Sequence, residues 1–209
     1  MARPKAYNRD AVITAARDLF WERGYGATSI TDLEDRTGLN RSSIYAEFGS
    51  KNGLFEAALD CYADQVIVLL HDGVRHGGGL DAVAGLFTRL AELLDCHEIL
   101  GTHGCLMVNT IAELGGRDER IRPAATRYRD RVRSDFSAAL ARAAAAGEIP
   151  ADSVDPRTQL LAAALMGIWL TVRIDPADAR SLCRLIASEV GSWRNQNPAG
   201  PSRRSVLGG

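Results

Sequence analysis

The stretch that decides the fold is residues 28–48, TSITDLEDRTGLNRSSIYAEF. It reads as two short helices joined by a tight turn. Thr28 and Ser29 offer hydroxyls to cap the first helix, and Asp32, three residues after Ser29, completes a capping box. Ile30, Leu33 and Thr37 then fall on one helical face. Gly38 tolerates positive φ where that helix must stop. Leu39 plugs the turn, and Asn40 caps a second helix whose apolar residues, Ile44 and Phe48, lie four apart. Arg41, Ser42, Ser43, Tyr45 and Glu47 are left on the outside of that helix, a short, polar edge with a cation at its N-terminal end. A helix-turn-helix needs this arrangement, with one face buried on its partner and the other laid in a DNA major groove.

Upstream, residues 10–23 form a helix with Ile13, Ala16, Leu19 and Phe20 facing inward, Trp21 as a packing residue and Gly24-Tyr25-Gly26 as its stop. Downstream, Ser50 caps a longer helix from Lys51 to about His71, whose apolar stripe is Leu54, Phe55, Ala58, Leu59 and Tyr62. Free amides at its start, together with Lys51, suit a DNA phosphate. The set expected to meet DNA is Thr28, Arg41, Ser42, Ser43, Tyr45 and Lys51: Arg41 on guanine or phosphate, the serines on base edges or backbone, Tyr45 and Thr28 on phosphate oxygens.

The run AARDLFWERGYGATSITDLEDRTGLNRSSIYAEFGSKNGLFEAALDCY resembles the N-terminal DNA-binding domain of the TetR/AcrR family of transcriptional regulators, and the similarity covers about residues 9–62. Its cues are the Gly-Tyr-Gly end of the first helix, Thr28–Ser29, the Gly38 turn, Tyr45, Phe48, and Lys51 after Gly49–Ser50. The chain departs from the family pattern at Asn52 and Gly53, where acids are usual, and at Glu47, where His or a neutral polar group is usual. Gly53 in a first turn weakens the helix start by up to ~1 kcal/mol. Glu47 has three readings: accepting from cytosine, pairing with Arg41, or facing solvent.

The chain has 209 residues, 46% hydrophobic and 24% charged, with a formal net charge of −1. That is an ordinary composition for a soluble protein of one large or two small domains. A near-neutral total does not argue against DNA, because phosphates need cations only at the contact face. Arg3, Lys5 and Arg9 form a local basic arm without an acid. Cys61, Cys96, Cys105 and Cys183 form no CxxC pair and read as reduced thiols. The start, MARPKAYNRDAV, lacks the apolar core of a leader, and LLAAALMGIWLTV at 160–172 falls short of the ~18 residues of a membrane span. A cytoplasmic location is expected.

The rest of the chain reads as helical, so the fold class is all-α. DGVRHGGG at 72–79 is the expected breaker between domains. Helices follow at 80–96, 104–114, 119–146, 155–174 and 177–193, with Pro123 in a first turn and the charged run RYRDRVRSD on a solvated face. The expected domains are 1–50 for the arm and DNA-binding head, 51–71 for a connecting helix, 72–194 for a helical body, and 195–209 for a disordered tail. The family resemblance implies that the body holds a small-molecule effector and a dimer surface, and that the protein is a repressor released from operator DNA by that effector. Candidate pocket residues are Phe87, Leu90, Met107, Met166 and Trp169, for an apolar or aromatic ligand. The sequence supports a dimer independently through Leu161, Leu165, Ile168 and Val172 at helical spacing, with Leu182, Leu185 and Ile186 on the next helix; the alternative is that these helices only close the protomer's own core.

Chemistry is sparse. There is no GxSxG, no Gly-rich nucleotide loop and no recognisable carboxylate pair, so an all-helical enzyme is a weak alternative and no cofactor is expected. His71, His76, His97 and His103 show no metal-ligand spacing. Cys105, in GCLMVNTIAEL, resembles a segment that in part of the family answers electrophiles or oxidants, and a helix N-terminus there would lower its pKa.

Overall fold

Helical spacing of apolar residues, interrupted by Gly and Pro, folds into eleven α-helices in the computed structural model, which describes residues 7–196. Arg3, Lys5 and the tail from residue 197 onward lie outside the described residues. No strand occurs among the described residues.

Helix α1 (Arg9–Arg23) begins where the Asn8 side chain accepts from the Asp10 and Ala11 amides, and it ends on Gly24 at φ 85. Helix α2 (Ile30–Thr37) carries the expected Ser29/Asp32 capping box and stops at Gly38 in the left-handed region, φ 70. Asn40 caps α3 (Arg41–Phe48) by accepting from the Ser43 amide. Leu33 and Ile44 are wholly buried beside Phe20, Leu54 and Phe55, so the angle between α2 and α3 is set by apolar packing against α1 and α4 (Lys51–Tyr62). Ser50 caps α4 through the Gly53 amide. Gly53 is required by space there, because a Cβ would lie 2.0 Å from the Phe48 carbonyl oxygen. The departure noted at that position therefore answers to a close approach within the head.

The long helix runs on further than expected. α4 passes through a π-helical segment, Ala63–Ile67, into α5 (Val68–His76), so most of the stretch expected as a flexible breaker is helical. The break itself falls at Gly77 and Gly78, between α5 and the helix that starts at Gly79, and tertiary contacts hold the helix up to that point. Val74 is fully buried. Arg142 donates to the Val74 carbonyl at 2.5 Å and to the Gly77 carbonyl at 3.1 Å, satisfying acceptors that the helix end leaves open. The buried Asp135 carboxylate bonds His71 Nδ1 at 2.9 Å and Arg75 Nε at 3.0 Å.

The body continues with α6 (Gly79–Cys96), α7 (Glu98–His103), α8 (Leu106–Leu114), α9 (Arg122–Ala145), α10 (Val154–Val172) and α11 (Pro176–Ser192). α7 escapes the sequence reading because it has six residues with a glycine inside; the His97 side chain caps it by accepting from the Leu100 amide. α6 lies against α11 and α9, and α9 against α10. The core is continuous from head to body, with Trp21 edge-on to Tyr62 at 4.9 Å and its indole N–H donating to the Gly104 carbonyl at 2.7 Å.

The face of α10 expected at a subunit interface points the other way. Leu161, Leu165, Ile168 and Val172 are at most 2% exposed and belong to the protomer's own core. An apolar helix offers two apolar faces, and periodicity does not say which meets the core. The outward stripe is Leu160, Leu170 and Ile174, at 60%, 45% and 86% exposure, with Ala163 and Gly167 between them. On α11, Leu185 is 63% exposed, while Leu182 and Ile186 are half-buried against the core.

Candidate nucleic-acid interface and body cavities

The outer edge of α3 presents Arg41, Ser42 and Tyr45 to solvent, with Ser43 half-buried beside them. Each is held by its neighbours. The Arg41 guanidinium lies 5.5 Å from the Tyr45 ring centroid, and its backbone amide donates to Glu34 at 2.5 Å. Ser42 donates its hydroxyl to Asn40 at 2.8 Å. The edge is thus a cation, a hydroxyl and a phenol on a helix fixed from behind by Ile44, which suits phosphate and base-edge contacts.

Two residues expected on this surface are placed differently. Thr28 is 1% exposed and donates its hydroxyl to the Gly24 carbonyl at 2.7 Å, so it closes the end of α1 and does not face solvent. Lys51 reaches back to the α1–α2 turn, donating to the Tyr25 carbonyl at 2.5 Å with its ammonium 4.2 Å from the Tyr25 ring centroid. Burial lowers its pKa below the usual lysine range, with Glu113 pulling the other way. Glu47 is tied to the start of the chain's first helix, a role outside its three readings. Tyr7 Oη donates to it at 2.8 Å and Arg9 Nε at 3.0 Å, and Arg9 lies over Phe48, 5.4 Å from the ring centroid. The acid on α3 therefore anchors the start of α1.

Sequence reasoning missed Glu113. From α8 its carboxylate accepts from two successive amides of the head, Tyr25 at 3.0 Å and Gly26 at 2.6 Å. A Cβ on Gly24 or Gly26 would come within 2.8 or 2.9 Å of that carboxylate. The paired glycines around Tyr25 were the available signal: they mark a close approach, although nothing local says of what. Through Glu113 and the Trp21–Gly104 bond, α8 and the turn before it are fastened directly to the helix-turn-helix head.

The candidate effector residues separate. Phe87 and Leu90 are wholly buried, with Phe87 stacked on Phe136 at 6.0 Å, and Trp169 is 1% exposed. These three are core. Met107 lines a cavity of about 340 Å³ between α4, the π segment, α8 and α9, shared with Asp60, Asp64, Arg127 and Arg131. Met166 lines a cleft of about 440 Å³ between α8, α9 and α10. Cys105 is the N-cap residue of α8, as expected, yet it is 1% exposed and donates to Tyr128 Oη at 3.6 Å. Burial pushes its thiol up, outweighing hydrogen bonds from Tyr62 and backbone amides that pull it down. Among the described residues no group of His, Cys, Asp or Glu is placed to hold a metal, and no helix is long and apolar enough to cross a membrane.

The fold is that of a helix-turn-helix head built onto an all-helical companion domain. Residues 12–58 match the bacterial regulatory proteins of the tetR family, and residues 79–177 match the tetracyclin repressor-like C-terminal domain. The chain belongs to the TetR family of bacterial regulatory proteins. It is 37% identical over 113 residues to the HTH-type transcriptional repressor ComR of Escherichia coli K12, a match spanning 54% of this chain and 53% of ComR. It is 33% identical over 131 residues to the HTH-type transcriptional repressor Rv3405c of Mycobacterium tuberculosis H37Rv, spanning 63% and 64% of the two chains. Among solved structures, a cysteine mutant of the TetR-family regulator CifR complexed with 26-bp double-strand operator DNA is similar at a TM-score of 0.77 and 26% identity, covering 90% of this chain and 97% of that one.

Proposed function

We propose that this chain is a DNA-binding transcriptional repressor that acts as a homodimer on a two-fold operator and is released by a small molecule held in its helical body. The observation that carries the reading is the solvent-facing Arg41–Ser42–Tyr45 edge of a helix capped at its start and buried on its other side. CifR, similar along nearly its whole length, is a regulator captured on operator DNA, and ComR is a repressor. One α3 touches few base pairs, whereas two held about 34–36 Å apart read a palindrome and add their phosphate contacts. The exposed stripe on α10 with Leu185 of α11 is the surface offered for pairing.

Release follows from how the head is tied. α4 and α8 both end on the Tyr25 turn, through Lys51 and Glu113, so a ligand that shifts either helix changes the set of the head. Such a ligand must bind the released state more tightly than the DNA-bound one. Fluorescence anisotropy with DNA from upstream of the chain's own gene tests the reading. Binding in the nanomolar range that weakens steeply with salt is expected, and Arg41→Ala should lower it. Equal affinity for random duplex would defeat it.

A second reading has one favourable observation: Cys105 stands at the N-terminal end of α8, the helix that carries Glu113, so a group added to its sulfur would disturb the Tyr25 turn. Its protonated, buried state makes reaction slow and dependent on opening of the core. N-ethylmaleimide that releases DNA equally from wild type and Cys105→Ser would dismiss it.

A further inference from the structure

We propose that the cleft between α9 and α10 binds an amphipathic organic anion, a carboxylate carried on an apolar chain or ring; this deepens the effector reading above and rests on it. The cleft, about 440 Å³, is of the size that holds small organic ligands. Its walls are apolar, from Ile111, Ala125, Ala162 and Met166. Arg122, Arg129 and Arg133 project along one face of α9 at the same cleft, and no acidic residue lines it.

The charge of the lining is what separates this cleft from its neighbour. On the opposite flank of α9 the second cavity is lined by Asp60 and Asp64 as well as by Arg127 and Arg131, so an anion there would face carboxylates. In the α9–α10 cleft, Arg133 has no ion-pair partner among the described residues. Arg122 pairs with Glu119 at 2.5 Å and Arg129 with Asp130 at 3.0 Å, both at the exposed surface, where such pairs contribute little and exchange readily. A ligand carboxylate accepts from a guanidinium in a two-pronged geometry, and apolar walls beside it reward an attached hydrocarbon. A bare inorganic anion would satisfy the arginines and leave those walls unused. Ile111 and Gly115, which line the cleft, flank Glu113 on α8, so occupancy is felt where the body holds the head.

The test is calorimetric titration of the full chain with decanoate, decan-1-ol and decylammonium, three probes with the same tail and different heads. Decanoate should bind about tenfold more tightly than the alcohol, with the ammonium weakest. Arg129→Gln with Arg133→Gln should abolish that preference while the alcohol's affinity stays, and Met166→Trp should block all three. Equal affinity for the three probes, a preference that survives the double variant, or no binding of decanoate overturns the proposal. Operator affinity measured beside it separates the two readings: decanoate bound with the stated preference but without DNA release leaves this site standing and removes the release mechanism.

Discussion

Glu113 accepts from two neighbouring amides forty and more residues outside its own domain's expected bounds, and it excludes a side chain at both Gly24 and Gly26. Hydrogen bonds to a charged acceptor are each worth about 1.5–3 kcal/mol. Glu113→Ala should therefore loosen the head without unfolding the helices, with operator affinity falling about tenfold and far-ultraviolet circular dichroism unchanged. Glu113→Gln, which keeps one acceptor oxygen, should fall between. Asp135 acts inside the body. Burial raises its pKa, but the bonds from His71 and Arg75 together win and leave its carboxyl below the usual 3.8. A depressed acid stabilises the fold above its unfolded value and loses that stabilisation as pH falls through its folded value. Asp135→Asn should cost about 2–3 kcal/mol near neutral pH. The gap in melting temperature between wild type and variant should close below about pH 4, and a gap that stays constant to acid pH would contradict this account.

At the scale of the element, α3 has eight residues and could not persist alone. It exists because Asn40 caps it, Ile44 is buried beneath it and Gly49 ends it. Two glycines near it should respond differently to alanine. At Gly38 a Cβ meets nothing within 4 Å, so the cost is only that of φ +70, about 1 kcal/mol. At Gly53 the Cβ would fall 2.0 Å from the Phe48 carbonyl oxygen, so α3 and α4 must separate, costing about 1–3 kcal/mol. Urea denaturation should rank Gly53→Ala below Gly38→Ala in stability, and only the former should weaken DNA binding. The turn and caps of this element were legible because they depend on neighbours within four residues. The fate of Glu47 was not, because Tyr7 and Arg9 lie about forty positions away.

At the scale of the whole molecule, α10 and α11 leave an apolar strip uncovered after the protomer has completed its core. Such a strip is costly in water and is the surface that the proposed dimer would cover. Leu170→Glu with Leu185→Glu should give a folded monomer by light scattering with operator affinity reduced on the order of 100-fold, since each half-site is then bound alone. Leu165→Ala, at a position expected from sequence to pair but buried in the protomer, should instead lower stability by about 2–5 kcal/mol and leave the proposed pairing surface unchanged.

What the amino-acid sequence by itself determined is local: where helices start and stop, that α3 turns Arg41, Ser42 and Tyr45 outward, and that no strand is needed to bury the core. Caps, left-handed glycines and helical periods act over a few residues and are written in the chain directly. Tertiary structure alone decided which face of α10 is inside, that helix continues through residues 72–76 up to the Gly77–Gly78 break, that Thr28 and Lys51 serve the Tyr25 turn, and that the arginines of α9 divide between a cavity with carboxylates in its lining and a cleft without them. Those outcomes rest on partners tens of residues apart, whose burial and charge exist only once the helices have packed.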